Sequence, residues 1–211
     1  MYLYATSVRP GPANPTRVME WAVGMTQKIN QISEVPTALW VTSMSPGMGT
    51  LAFVAVVDDL AQIEATEDKL ASDPGYGTLV EQGLGLLSSD PVDQRLLQIV
   101  HADPDAANID ARYATTVVAT LKPGAMAAGT ELGVDIAQRV KKLTGRPTSF
   151  AVAMTGVYGQ VSWMSLAENI DQLQAAGEAM GADAGFTKLL DSKVPSAYQP
   201  DAIQTVSRKV I

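Results

Sequence analysis

Apolar residues follow two different spacings along this chain, and the whole pattern occurs twice. In the first hundred residues, a strand candidate at 2–9 precedes apolar positions that recur every three or four residues from Val18 to Ile32. That spacing predicts an amphipathic helix. Two short apolar runs, 38–44 and 50–57, flank a turn rich in Gly and Pro, which predicts a β-hairpin. The same succession returns in the second hundred residues, at 112–119, 132–143, 149–155 and 160–167.

Residues 49–81 align with residues 159–191 without a gap. Six aligned positions are identical: Gly49/Gly159, Gln62/Gln172, Ala65/Ala175, Asp73/Asp183, Gly75/Gly185 and Leu79/Leu189. An internal repeat of this length indicates that the chain consists of two copies of one structural unit. We therefore expect two units of about one hundred residues, a common domain size. The predicted boundaries are 1–100 for the first unit, 101–111 for an acidic connector and 112–211 for the second unit.

Polar residues mark the start of the second helix in each unit. Asp59 is followed three residues later by Gln62, and Asn169 is followed in the same way by Gln172. This spacing is a variant of the capping box, so capping explains these acids and amides better than metal binding or acid–base catalysis does. We expect each helix to be interrupted, then followed by a short apolar segment and a closing strand. The interruptions fall at 73–75 and 183–185, and the closing strands at 94–100 and 202–210.

The predicted order of elements is strand–helix–strand–strand–helix–strand in both units. This is the ferredoxin-like split βαβ plan, an α+β fold whose antiparallel sheet carries both helices on one face. The strands do not alternate apolar with polar residues: Leu51 and Phe53 point one way, and Ala52 and Val54 point the other. We therefore expect both faces of each sheet to be buried, with the two antiparallel sheets facing each other as a barrel.

Strand order, repeat and burial pattern together resemble the dimeric α+β barrel superfamily, with its two ferredoxin-like units fused in tandem. The resemblance covers nearly all of the chain and rests on no signature motif. The superfamily includes antibiotic-biosynthesis monooxygenase-like proteins, haem-degrading monooxygenases, and chlorite dismutases. The resemblance thus implies an intrachain pseudo-dimeric barrel, and it leaves the function open because one fold hosts many activities.

Composition excludes several classes of function. The net charge of −7 argues against binding to a nucleic-acid backbone. Lys141, Lys142 and Arg146 form the one basic cluster, and we expect these cations to complement the dipole at a helix end. No apolar run is long enough to span a membrane, and the N-terminus lacks the pattern of a signal peptide. With no cysteine in the chain, disulfides and thiolate metal sites are excluded. Because no export signal is found, we expect a cytoplasmic protein, and we expect neither a metal nor a bound cofactor.

His101 is the single histidine, and it lies at the entry to the acidic connector. A functional interpretation makes it a haem ligand or a general base. The resemblance weakens the haem interpretation, because haem-binding tandem members carry the ligand in their second half. A surface histidine beside aspartates is the interpretation that we favour.

Aromatic and hydroxyl residues on the strands could line a pocket for a flat apolar ligand. Simple core filling is the alternative interpretation of the aromatic residues. The predicted pocket consists of Tyr4, Thr6, Trp40, Thr42, Phe53, Tyr113, Thr115, Phe150 and Trp163. Arg9 is the candidate catalytic residue, because a cation would stabilise a developing negative charge.

Three hypotheses follow for the function. The first is a barrel that binds a small aromatic or polyketide-like compound and oxidises it without a cofactor, in the manner of the monooxygenase-like members. The second is a non-catalytic binding or assembly module that forms homo-oligomers. The third is haem handling. The sequence does not decide whether the chain is an enzyme.

Overall fold

The computed structural model describes all residues from Met1 to Ile211. The eight strands are β1 (Tyr2–Val8), β2 (Thr37–Ser43), β3 (Leu51–Val57), β4 (Asp93–His101), β5 (Tyr113–Thr120), β6 (Thr148–Ala153), β7 (Gln160–Ala167) and β8 (Ile203–Lys209). The six α-helices are α1 (Pro15–Ile32), α2 (Leu60–Ala71), α3 (Pro74–Leu84), α4 (Met126–Thr144), α5 (Ile170–Ala182) and α6 (Ala184–Ala197). A short 3₁₀ helix, Pro104–Ala107, lies in the acidic connector.

The strands hydrogen-bond in the order β1-β3-β2-β8-β5-β7-β6-β4, and this order closes into a barrel. Within it, β4-β1-β3-β2 and β8-β5-β7-β6 repeat one ferredoxin-like sequence of neighbours. The pairs β1/β3, β2/β3, β5/β7 and β6/β7 are all antiparallel. The predicted fold class, a tandem ferredoxin-like α+β barrel, is confirmed. No helix combines the length and the apolarity needed to cross a membrane.

The chain divides into two compact units. The first unit comprises Met1–Leu96 together with Arg208–Ile211, and the second comprises Leu97–Ser207. The boundary between the units therefore falls within β4 and within β8. The boundaries proposed from the repeat, at 100 and 112, stay a prediction.

Each unit has its own hydrophobic core between its sheet and its helices. In the first unit, Leu39, Leu51 and Phe53 of the sheet pack with Val18 and Trp21 of α1. The core of the second unit is built in the same way from α4, α6 and the sheet, and it includes Leu132, Ile136, Phe150, Val161, Trp163 and Tyr198. Trp21 and Phe53 meet edge to face with ring centroids 6.1 Å apart, a favourable aromatic geometry.

Strand register identifies which side chains face the helices. In β1 and β3, Thr6 pairs with Phe53, so the even-numbered residues of β1 share the face that the helices cover. The opposite face is less buried than the sequence pattern predicts. Val54 is half-buried, and Val56 is 48% exposed. The expectation that both faces are buried is therefore wrong at Val56.

The short apolar segment expected after each interruption is in fact a full helix, α3 in one unit and α6 in the other. In α3, the Asp73 side chain accepts a hydrogen bond from Tyr76 N at 2.8 Å, and Pro74 occupies the first helical turn. Both features favour a helix start. Three glycines within α3 obscure its apolar periodicity in the sequence, because Gly has a low helix propensity.

The predicted capping boxes at the start of α2 and α5 are confirmed. The Asp59 side chain accepts from Gln62 N at 3.0 Å, and the Gln62 side chain accepts from Asp58 N at 3.0 Å. Asn169 and Gln172 repeat this arrangement in the second unit. Because the polar groups at both helix starts are engaged in capping, they are structural rather than catalytic.

Candidate functional site

The predicted pocket residues divide between the two faces of the sheets. In the first unit, Tyr4, Thr6 and Phe53 lie on the helix-covered face. Trp40 pairs with Ala52 and therefore points to the opposite face. Thr42 follows Trp40 at the spacing of two residues that keeps it on that same face. In the second unit, the helix-covered face carries the remaining four residues, Tyr113, Thr115, Phe150 and Trp163.

Phe150 and Trp163 are packed inside the core of the second unit. Phe150 is fully buried, and its ring centroid lies 5.1 Å from that of Trp163. Trp163 Nε1 donates a hydrogen bond to the Gly133 carbonyl at 2.8 Å. A Cβ added at Gly133 would come within 2.3 Å of the Phe150 ring, so these groups fill the available volume. Both aromatic residues support packing, the alternative interpretation.

Arg9 lies beyond the end of β1, and its side chain is 65% exposed. Its nearest acidic partner is Asp90, at 3.6 Å. Exposed ion pairs of this kind contribute little to stability. The structure therefore leaves Arg9 outside the group of polar residues around Tyr4.

A phenol and a carboxylate meet on the helix-covered side of the first unit. Tyr4 Oη donates a hydrogen bond to Glu67 Oε1 at 2.9 Å, joining β1 to α2. Burial, together with the hydrogen bond to Glu67, raises the pKa of Tyr4 to about 12. Burial and the charge of Glu67 also raise the pKa of Tyr76. Tyr4 is consequently a neutral hydrogen-bond donor at physiological pH, and the Glu67 carboxylate is its acceptor.

In the second unit, a buried guanidinium contacts Thr115, the strand residue that corresponds to Tyr4 in register. Arg146 is 6% exposed, and its Nη2 donates to Thr115 Oγ1 at 3.1 Å and to the Ser165 carbonyl at 2.7 Å. Its Nε donates to the Leu166 carbonyl at 3.0 Å. Burial lowers the pKa of Arg146, although an arginine remains charged at neutral pH.

Sequence reasoning did not identify Arg146 as a buried group. The interpretation of the basic cluster as helix-end cations is confirmed for Lys141 and Lys142, which lie in the last turn of α4. It is wrong for Arg146, which follows the left-handed Gly145 that ends the helix and turns inward. A neighbouring proline, Pro147, and the absence of a nearby acid in the sequence were the available signals.

His101 is the last residue of β4 and pairs in register with Phe150. It is partly exposed. The connector that follows is fixed by Asp103, which accepts hydrogen bonds from Lys141 Nζ at 2.6 Å and from Thr148 N at 3.2 Å. No cluster of three or more His, Asp or Glu side chains has the arrangement of a metal site.

Solved structures share this fold at low sequence identity. A proposed monooxygenase from Fusobacterium nucleatum superposes with a TM-score of 0.71 at 10% identity, covering 100% of this chain and 92% of that one. A second proposed monooxygenase, from Lactobacillus acidophilus, gives 0.66 at 7% identity over 99% and 93%. An anthrone oxidase-like protein gives 0.67 at 12% identity over 100% and 91%.

These likenesses show the fold alone, an α+β barrel that extends over the whole chain. No family model matches the sequence. No curated protein matches it either. The chemistry must therefore be argued from the residues of this chain.

Proposed function

We propose that the chain binds a small aromatic compound between the sheet and the helices of its first unit and oxidises it with molecular oxygen. The observation that carries this proposal is the 2.9 Å hydrogen bond from Tyr4 to Glu67 on the helix-covered face. It places a proton donor beside a proton acceptor, next to the apolar side chains of the core. The oxidase-like and monooxygenase descriptions of proteins with this fold support the same class of reaction.

The two groups have complementary roles in such a reaction. Glu67 is exposed at the open edge of the layer, where it can take a proton from an acidic CH₂ group of the ligand. Tyr4 can then donate a hydrogen bond to the oxygen of the resulting enolate and stabilise its charge. The enolate gives its electrons to O₂. Overall, R₂CH₂ and O₂ yield R₂C=O and H₂O, so the atoms and the four electrons balance.

Thr6 and Phe53 form the neighbouring part of the sheet wall. They pair with each other in the β1/β3 register, on the same face as Tyr4. The Phe53 ring is buried in the core of the first unit and offers an apolar contact, whereas the Thr6 hydroxyl can orient a polar group of the ligand. We therefore expect the ligand to be planar and mainly apolar, with one ionisable oxygen.

Turnover of anthrone provides the test, measured as oxygen uptake together with the absorbance of the quinone product. Tyr4→Phe removes the donor while keeping the ring, and it should lower kcat/KM by on the order of a hundredfold. Glu67→Gln should abolish proton abstraction. Tyr158→Phe is the matched control, because Tyr158 is 87% exposed in the hairpin between β6 and β7.

The result that refutes the proposal is equally definite. If Tyr4→Phe and Tyr158→Phe oxidise anthrone at the same rate, the phenol has no role in the reaction. Saturable binding of anthrone without oxygen uptake would reduce the function to ligand binding, the second of the hypotheses drawn from the sequence.

A further inference from the structure

Arg146 is a buried cation with no acidic partner. Its three hydrogen-bond acceptors are two main-chain carbonyls and the Thr115 hydroxyl, which are all neutral. None of the ion pairs in the chain includes it. Its Nη1 makes no hydrogen bond within the protein. A charge removed from water is normally retained in proteins together with a counter-charge, because its desolvation is unfavourable.

In the first unit, the strand residue equivalent to Thr115 is contacted by an acid. Thr115 pairs with Ser165 across β5 and β7, as Tyr4 pairs with Ala55 across β1 and β3. Tyr4 is thus the equivalent of Thr115, and its hydroxyl is contacted by the carboxylate of Glu67 from α2. The two repeats therefore place groups of opposite charge beside equivalent strand residues, with Glu67 at the hydroxyl of Tyr4 and Arg146 at the hydroxyl of Thr115.

The acid has no counterpart in the second unit. In the alignment of the repeats, Glu67 corresponds to Gly177 of α5. A Cβ built on Gly177 would meet nothing within 4 Å. The second unit thus has a guanidinium near the sheet, and at the helix position from which the first unit presents its carboxylate it has an exposed glycine.

We propose that the second unit binds a small organic carboxylate at Arg146, with the carboxylate group in the space beside Gly177. The planar guanidinium suits a carboxylate because it can donate two parallel hydrogen bonds. Nη1 would supply one of them, and Nη2 could turn part of its bonding from Thr115 to the ligand. This site is separate from the chemistry proposed for Tyr4 and does not depend on it.

Isothermal titration with sodium benzoate tests the site, and the neutral analogue benzamide is the ligand control. Gly177→Glu supplies an internal carboxylate and leaves Arg146 in place. Gly181→Glu adds the same charge on the same helix, at a position whose Cβ also meets nothing within 4 Å. Arg146→Met removes the cation and keeps a side chain of similar length.

We expect benzoate to bind at one site per chain and benzamide to bind at least about tenfold more weakly. Gly177→Glu should lower the affinity for benzoate by on the order of tenfold, and Gly181→Glu should lower it by less than about twofold. Arg146→Met should abolish binding. If Arg146→Met does not fold, the comparison of the two glutamate variants still decides the question.

Three results would overturn the proposal. They are the absence of saturable benzoate binding, equal affinity in wild type and Gly177→Glu, and equal weakening by the two glutamate substitutions. Tyr4→Phe should leave benzoate binding unchanged, so a failure of the oxidation proposed for the first unit is distinguishable from a failure of this site.

Discussion

The carboxylate of Asp103 anchors the connector to the second unit, and its replacement by Asn removes the charge while keeping the shape. The residue is 4% exposed, and it accepts from Lys141 Nζ at 2.6 Å, Asp105 N at 3.0 Å and Thr148 N at 3.2 Å. A hydrogen bond to a charged group contributes about 1.5–3 kcal/mol. The amide of Asn can still accept a hydrogen bond, and Lys141 keeps its contact with Asp105. We therefore expect the free energy of unfolding to fall by about 2 kcal/mol at neutral pH.

The pH dependence of this difference provides the sharper test. Burial raises the pKa of Asp103, but the hydrogen bonds from Lys141, Asp105 and Thr148 outweigh it and hold the pKa below its usual value. Because the folded pKa is depressed, the stabilisation is present above the unfolded pKa of about 3.9 and is lost as pH falls through the folded pKa. The difference between wild type and Asp103→Asn should therefore shrink in acid.

Urea denaturation of wild type, Asp103→Asn and Asp105→Asn across pH provides the measurement. Asp105 is the control, because its side chain is 63% exposed and its pairing with Lys141 should contribute less than about 1 kcal/mol. The reasoning is refuted if Asp103→Asn is no more destabilising than Asp105→Asn at neutral pH. A difference that stays constant into acid would refute it as well.

Three further predictions concern packing, capping and titration. Gly133→Ala brings Cβ to 2.3 Å from the Phe150 ring and should lower the free energy of unfolding by about 1–3 kcal/mol. Gly181→Ala, whose Cβ meets nothing within 4 Å, should raise it by about 0.5–1 kcal/mol. Equal effects of the two substitutions in urea denaturation would contradict both predictions. Asp59→Ala removes the acceptor 3.0 Å from the backbone N–H three residues later and should cost about 1 kcal/mol, with Asp59→Ser restoring most of it. Burial raises the pKa of Tyr4 from 10.0 to about 12. The neutral phenol therefore stabilises the folded state fully below pH 10.0, and this stabilisation is lost as the pH rises through the pKa of the folded state. Ultraviolet titration should show a late phenolate step that Tyr4→Phe removes.

Much of the fold was predictable because the same sequence pattern occurs in both repeats. The spacing of Asp59 and Gln62 and its repetition at Asn169 and Gln172 located two helix starts that the structure confirms. The glycine turn between the paired apolar runs located the hairpin of β2 and β3. A local signal that occurs in both repeats is stronger evidence than a single one, because both repeats adopt the same fold.

The candidate sites were less predictable, because they depend on where each side chain points in the folded chain and not on the spacing of residues in the sequence. Arg146 has the sequence context of an ordinary helix-end cation, and only the inward turn after Gly145 shows that it is buried. Tyr4 was among the predicted pocket residues, but its partner Glu67 lies 63 positions away, on an exposed turn of α2. Apolar periodicity does not report such pairings, since polar side chains at a helix edge look like solvent-exposed residues.

Glu67 contacts Tyr4, and Arg146 contacts the equivalent strand residue Thr115, so the two repeats have acquired different charged groups. In a homodimer, one gene specifies both subunits, so any substitution appears in both halves at once. Joining two copies in one polypeptide removes that constraint, and each copy can then acquire its own chemistry while the shared backbone plan is kept. The two sites proposed above would use this freedom, since one half would bind an organic acid and the other a compound with an acidic CH₂ group.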